Sequence, residues 1–382
     1  MRRTTQLEIS PIAAAHAVLA ERSGTRPLLD LSQAAPAYPP AALVQQRIAA
    51  AATEPDTARY APSPGLPELR TAFAADINAA YQTSITPAQT LITAGCNQAF
   101  CVTASAIAAP GDEMIVPVPY YFNHDMWLKL DGIKPVYLQT DEHMQPDPEA
   151  AARLITNKTR AILLVSPGNP TGAILSPDTI RAFFDLAVER DLVLILDETY
   201  RTFRGTDQAA HRLYDEPNWS DTLITLHSFS KDLAIPGYRV GAIVASEALI
   251  AESLKLFDCV AICAPRIGQL AAIAGLREAP TWRVEQADRI GRSLETFRTV
   301  MAEQPGGFRL ASSGAFFGWV QHPFADLPVA DVVRRLVVDA DVLTIPGTAF
   351  TPTDERWLRF SFANLDGEQL IELGRRLAAF SA

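Results

Sequence analysis

The middle of this chain alternates short apolar runs with helix-length amphipathic segments, and no other feature restricts its fold as much. Leu91–Thr93, Glu113–Pro117, Pro135–Leu138, Ala161–Val165, Leu192–Leu196, Thr222–Leu226 and Val240–Val244 have the length and composition of strands. Several are apolar throughout, as strands covered on both faces are. Helical segments such as Ala99–Ala109 and Ser176–Arg190 lie between them, and Pro110-Gly111-Asp112 closes the first. Such alternation predicts an α/β domain around a mainly parallel sheet. After about residue 275 the texture changes. A long polar helix pattern over 282–303 leads to Phe308–Leu310 and Ala315–Val320, then a helix over 329–339 and a strand over 357–362. These predict a smaller α+β domain. The expected division is an N-terminal segment, 1–45, packing with the small domain, a large domain over 46–275 and the small domain over 276–382.

At 382 residues the chain is more than twice a typical ~150-residue domain, so two cores are affordable in length. With 48% hydrophobic and 20% charged residues it is neither disordered nor fibrous. Its net charge of −10 argues against a broad grip on nucleic acid or anionic lipid and leaves only local positive spots for anions. Cys96, Cys101, Cys259 and Cys263 are spaced as neither a zinc knuckle nor a redox pair, and their apolar surroundings read as buried thiols in a reducing compartment. No uncharged stretch reaches the roughly 18 apolar residues of a spanning helix. Arg2 and Arg3 ahead of Pro11–Ala20 faintly resemble a secretory leader, but Glu8 and His16 interrupt it, and a short amphipathic helix reads better. The expectation is a cytoplasmic protein with no membrane or nucleic-acid partner.

Chemistry concentrates where apolar runs end. Ser228-Phe229-Ser230-Lys231 follows one of them. A lysine there is either a surface lysine at a turn or an amine able to form a Schiff base with a carbonyl cofactor. Eight residues on, Arg239 in Pro236-Gly-Tyr-Arg239 has the planar fork that suits a phosphate. Asp197, in Asp197-Glu-Thr-Tyr200, ends the most apolar strand, where open α/β sheets bind ligands; it equally suits a helix cap. Ser166-Pro-Gly-Asn-Pro-Thr-Gly172 packs two prolines and two glycines into seven residues, a rigid turn that would fix the Asn169 amide. Thr93-Ala-Gly-Cys-Asn-Gln-Ala99 joins a strand to a helix start, leaving the amides of Cys96 and Asn97 free to cradle a phosphate. The Gly-Lys-Ser/Thr ending of a P-loop is absent. In Val118-Pro-Tyr-Tyr-Phe122 an aromatic either stacks on a planar ring or belongs to the core.

Together these residues resemble the fold-type I pyridoxal-phosphate enzymes, specifically the class I/II aminotransferases, from Leu29-Asp-Leu-Ser to Arg359-Phe-Ser-Phe. The likeness lies in order and spacing: Asn169, Asp197, Tyr200, Ser228, Lys231 and Arg239 are 28, 3, 28, 3 and 8 residues apart. It implies a three-layer, mainly parallel large domain with a smaller α+β domain, and pyridoxal 5'-phosphate as cofactor. It makes Lys231 the Schiff-base lysine and proton shuttle, and Asp197 the partner of the pyridine nitrogen. Tyr200 and Asn169 would bind the ring oxygen, and Tyr121, or Tyr120 one register away, would stack on the ring. Ser228, Arg239 and the Gly95-Cys96-Asn97 amides would take the phosphate, and Arg359 the substrate carboxylate. Tyr60 matches a tyrosine that reaches the neighbouring subunit's phosphate, which implies a homodimer with shared active sites. The implied reaction moves an amino group between an L-amino acid and a 2-oxo acid by a ping-pong mechanism.

Two positions depart from the family pattern. Ala34, in Leu31-Ser-Gln-Ala-Ala-Pro36, stands where a glycine is expected beside the substrate carboxylate. It either reshapes that side of the pocket or fits the same backbone angles. Arg266 occupies a segment that approaches the partner's active site and is read either as an interface ion pair or as a contact to phosphate or a distal carboxylate. Tyr38, Phe316, Phe317 and Phe350 are candidates for an aromatic-tolerant pocket, with some of them core, and His124 and His322 look too isolated to be ligands or bases. The competing outcomes are a β-eliminating lyase or synthase of the same fold, and a non-enzymatic regulatory module. No basic helix-turn-helix pattern before residue 29 favours the latter.

Overall fold

The computed structural model of the chain describes residues 3–7, 9–206, 208–353 and 356–381. Arg2 and Glu8, on which the leader comparison partly rests, lie outside the described residues. The seven apolar runs form one sheet: β1 (Thr90–Thr93), β2 (Glu113–Val118), β3 (Lys134–Gln139), β4 (Thr159–Val165), β5 (Val193–Asp197), β6 (Leu223–Ser228) and β7 (Gly241–Val244). The strand order is β1-β7-β6-β5-β4-β2-β3, with β7 antiparallel to both neighbours and the other pairings parallel. Every residue of β1 and β7 is buried, the two threonines of β1 included, as strands covered on both faces are.

A second, antiparallel sheet follows: β8 (Arg309–Gly314), β9 (Phe317–Gln321), β10 (Ile345–Pro346) and β11 (Trp357–Ser361), in the order β10-β11-β9-β8. Its side chains join a separate core with Val332, Leu336, Leu370 and Leu377. Residues from the start of the chain pack here too. Leu29 and Asp30 pair in parallel with Val342 and Leu343, and Arg22 and Arg26 grip Asp341 at 2.6 and 2.9 Å. The 23-residue helix Pro280–Ala302 bridges the two cores. Trp282 near its start touches both, while Ile290, Phe297 and Met301 belong to the second.

Local signals place the elements. Ser176 caps the helix Pro177–Glu189 by accepting from the Thr179 amide at 3.0 Å, with proline in the first helical position. Two expectations are corrected. The helix expected from Ala99 starts at Cys96, because Gly95 (φ +91°) turns the chain straight from strand into helix. The thiols are not uniformly buried: Cys96 is, Cys101 and Cys263 are partly so, and Cys259 is exposed. Cys259 falls off the buried Ile250–Ser253–Phe257 stripe of the helix Glu247–Ala261. Among the described residues no helix is long and apolar enough to cross a membrane.

Candidate active site

Parallel strands deliver their C-terminal ends to one edge of the sheet, and there β5 and β6 place Asp197 and Ser228. The loop after β4 brings Asn169, the turn after β6 brings Lys231, and the connection after β1 brings Cys96 and Asn97. With Ala34, Tyr121, Tyr200, Arg239 and Arg359 they line one cavity of about 410 Å³.

Asp197 forms the floor. Its Oδ1 accepts from the Thr199 amide at 2.9 Å, and its Oδ2 stands 3.3 Å from His124 Nε2. Burial alone would push this carboxyl up, but the His124 ring and the Thr199 donors hold it below the ordinary carboxylate range. A buried carboxylate kept ionised in this way can hold a protonated ring nitrogen. The His124 ring packs edge-on against Tyr121, centroids 5.1 Å apart. Tyr121 OH donates to Asn123 Oδ1 at 2.8 Å. Tyr120 turns away and stacks on Tyr137 at 5.4 Å, so the register places Tyr121 in the cavity.

Lys231 lies on the single helical turn Phe229–Asp232, which Ser228 caps. Its amine donates to the Ala34 carbonyl. Burial, then the Arg239 and Arg359 charges, pushes the amine down to about 8, within reach of the neutral, nucleophilic form. Burial likewise pushes the Tyr200 phenol far up, so it remains a donor.

One end of the cavity is built for an anion. The helix Cys96–Ile107 has no acidic residue in its first turn, and its N-terminal amides face the cavity beside Ser228, Ser230 and Arg239. Arg239 runs close over the strand–helix turn: a side chain at Gly95 would collide with its guanidinium. The other end holds Arg359, 2% exposed, which donates to Asn169 Oδ1 at 3.2 Å and to the Ser32 carbonyl. The faces of Phe317 and Phe350 lie 5.4 and 5.0 Å from the guanidinium carbon. Among the described residues no carboxylate is paired with it in direct contact; Asp30 acts only from farther off, and burial lowers it to about 10. A desolvated cation without a counter-ion is a site for an anion.

Tyr60 does not reach this cavity. It is 76% exposed, and its carbonyl accepts from Arg266 Nη1 at 3.4 Å. Ala34 keeps an ordinary backbone, outside the positive-φ region, so an alanine fits where glycine was expected. Tyr38, Phe316, Phe317 and Phe350 are all buried and none lines the cavity; they are packing behind it. His124, isolated in the sequence, is the residue that sequence reasoning misses. It follows Tyr121 by three positions at a helix start, a spacing that puts both on one face. Thr199, Ser230, Asn123 and Gln33 line the cavity as well, as do Ser10 and Ile12 from the start of the chain.

The sequence profile described as "Aminotransferase class I and II" matches residues 26–377. The aspartate/prephenate aminotransferase of Thermus thermophilus is 31% identical over 303 residues, covering 76% of each chain. An aromatic aminotransferase of Arabidopsis thaliana is 27% identical, over 98% of this chain and 94% of its own. A solved structure of a single mutant of Thermus thermophilus aspartate aminotransferase superimposes with a TM-score of 0.90 at 28% identity, covering 99% of this chain and 98% of that one. With the cavity's residues arranged on this fold, and the profile spanning nearly the whole sequence, the chain belongs to the class I and II aminotransferases.

Proposed function

We propose that the chain is a pyridoxal-phosphate-dependent aminotransferase that moves an amino group between an L-amino acid and a 2-oxo acid by a ping-pong mechanism. The observation that carries this is the Lys231 amine, lowered to about 8 between an anion cradle and an unpaired buried guanidinium, with ionised Asp197 on the floor. The donor set fits the cofactor. Arg239, Ser228 and the Gly95-Cys96-Asn97 amides suit a phosphate, Asp197 a pyridinium nitrogen, Tyr200 and Asn169 a phenolate oxygen, and the Tyr121 ring a planar face. When bound there, the cofactor supplies an electron sink that makes the substrate Cα proton acidic.

The chain's own residues do the rest. Arg359 binds the α-carboxylate through its fork and, with Asn169, orients the Cα–H bond. The Lys231 amine takes the proton from Cα as general base and later returns one as general acid, a role its lowered basicity suits. Tyr200 stays protonated and donates a hydrogen bond. A homodimer belongs to the same reading: exposed Tyr60 completes the partner's phosphate site, with Arg266 as part of that contact. So do a cytoplasmic setting and the division near residues 45 and 275, which the two cores support.

The test is an absorbance spectrum of the protein before and after single L-amino acids. The expected result is an imine band that gives way to the pyridoxamine form, with one 2-oxo acid released per site. A band that persists while ammonia is released would indicate elimination instead. A second prediction concerns His124. In His124→Phe the Asp197 carboxyl loses the ring that holds it down and should rise, lowering kcat by about tenfold with the cofactor retained. Steady-state kinetics on the cofactor-loaded variant check it; an unchanged kcat would remove His124 from the machinery.

A further inference from the structure

Three cavity residues are each followed in sequence by a charged residue that is buried on the far side. Asp197 is followed by Glu198, Tyr200 by Arg201 and Lys231 by Asp232. Behind the cavity Asp232 Oδ2 accepts from Arg283 Nη2 at 2.9 Å, and Arg283 Nη1 donates to Asp76 Oδ1 at 2.7 Å. Asp76, on the helix Pro67–Tyr81, also pairs with Arg201. The four side chains are 8%, 13%, 17% and 13% exposed for Asp232, Arg283, Asp76 and Arg201, so the pairs are desolvated rather than solvated surface bridges. An alternating line of charge therefore runs from the residue beside Lys231 to the residue beside Tyr200.

Arg283 is the member with reach. It sits in the first turn of Pro280–Ala302, next to Trp282, which contacts both cores. Farther along, Phe297 stacks on Phe362 at 4.9 Å and meets Phe360, the neighbour of Arg359 on β11, edge-on at 6.4 Å. The helix thus connects the turn that carries the amine to the sheet that carries the substrate-binding guanidinium. The front of the Lys231 turn is held by the Ser228 cap and by Phe229, edge-on to Phe73 at 5.4 Å, and its end by the Asp232–Arg283 pair. Phe229–Asp232 is four residues long, too short to be stable alone.

We propose that Arg283 is a positioning residue for the transamination site: through its ion pair with Asp232 it fixes the Lys231 turn against the helix that joins the two cores, and so sets the distance between amine and Arg359. The inference rests on Lys231 being the reactive amine. Deleting Arg283 leaves Asp76 its Arg201 partner but orphans Asp232, whose Oδ1 already lacks a hydrogen-bond partner. Burial raises the Asp232 carboxyl even with Arg283 and Arg201 nearby, so without Arg283 it must take up a proton or swing toward water, and the turn moves with it. Breaking a buried pair on one side is damaging, whereas removing both charges is far milder.

That asymmetry gives the test. Wild type, Arg283→Met, Arg283→Lys, Asp232→Asn and the double variant Asp232→Asn/Arg283→Met are loaded with cofactor, and kcat and KM are measured per loaded site. Arg283→Met should lose ten- to hundredfold in kcat with KM within threefold, and Arg283→Lys should recover most of that. The double variant should be at least threefold faster than Arg283→Met, a non-additivity that a mere stabilising contact would not give. In the cofactor-free proteins, amide hydrogen exchange over residues 229–235 should be about tenfold faster in Arg283→Met and slow again in the double variant. The proposal is overturned if Arg283→Met keeps kcat within twofold, whatever its melting temperature, or if the double variant is no faster than Arg283→Met. Failure of the underlying reading looks different: wild type itself would show no imine band, and Lys231→Ala would turn over as fast as wild type.

Discussion

Lys231→Ala is expected to lower transamination at least ten-thousandfold and to remove the imine band, while the variant still binds pyridoxal phosphate reversibly. The anion cradle, Asp197 and Tyr121 are untouched by the change, so affinity for the cofactor's phosphate and ring should survive the loss of the covalent link. The size of the effect follows from the two jobs proposed for the amine, bond formation to the carbonyl carbon and proton transfer at Cα, which no other amine among the described residues of the cavity can take over. The same residue predicts a pH effect in the cofactor-free protein. Its amine is ordinarily at about 10.5 in an unfolded chain and is lowered to about 8 in the fold by burial and the two arginine charges. Between those values the unfolded chain binds more protons than the folded one, so stability rises with pH across that window. Below about pH 8 the buried ammonium opposes folding by up to about 3 kcal/mol, reduced by whatever solvent reaches it. Lys231→Met should therefore be more resistant to urea than wild-type apoprotein at pH 6, with the gap closing toward pH 10. A gap of the opposite sign would mean that the amine is not desolvated.

Most of the cavity was legible in the sequence because topology assembles it. Parallel strands send their C-terminal ends to one edge, so Asn169, Asp197, Ser228 and Lys231 converge once the apolar runs are read as strands. Gly95 and the turn around it were legible for the same reason. What escaped was what depends on side-chain direction. Tyr120 and Tyr121 differ by one residue at a helix start, and only the stacking of Tyr120 on Tyr137 decides which faces the cavity. His124 is 73 residues from Asp197 in the chain, and a lone histidine beside aromatics carries no sign of a carboxylate partner. Arg283, Asp76 and Arg201 read as ordinary charged positions of helices and loops, yet the helices Pro67–Tyr81 and Pro280–Ala302 bring Asp76 and Arg283 together with Arg201 and Asp232 in largely buried pairs. Tyr38, Phe316, Phe317 and Phe350 have the same apolar character in sequence whether they line a cavity or back it, and here they back it.

Arg359→Leu carries the second large effect, and its two consequences point in opposite directions. In the cavity Arg359 holds only neutral acceptors, the Ser32 carbonyl and the Asn169 amide oxygen, with its Nε left without a partner. A cation desolvated without a contacting counter-ion destabilises the fold that holds it, and burial accordingly lowers the guanidinium to about 10 despite the Asp30 charge. Replacing it by leucine, among Phe317 and Phe350, should leave the cofactor-free protein as stable as wild type or about 1–2 kcal/mol more so in urea unfolding. Activity should move the other way. A substrate carboxylate that has lost a buried, two-pronged partner loses about 3–5 kcal/mol, so kcat/KM for amino acids should fall by a factor of about 10²–10³ or more. An amine that lacks the carboxylate should react with variant and wild type at similar rates, since it never used the arginine. That comparison separates carboxylate binding from general damage: equal losses for the amino acid and the plain amine would show that Arg359 supports the cavity rather than the substrate. Stability gained where activity is lost is the expected mark of a residue kept for its ligand.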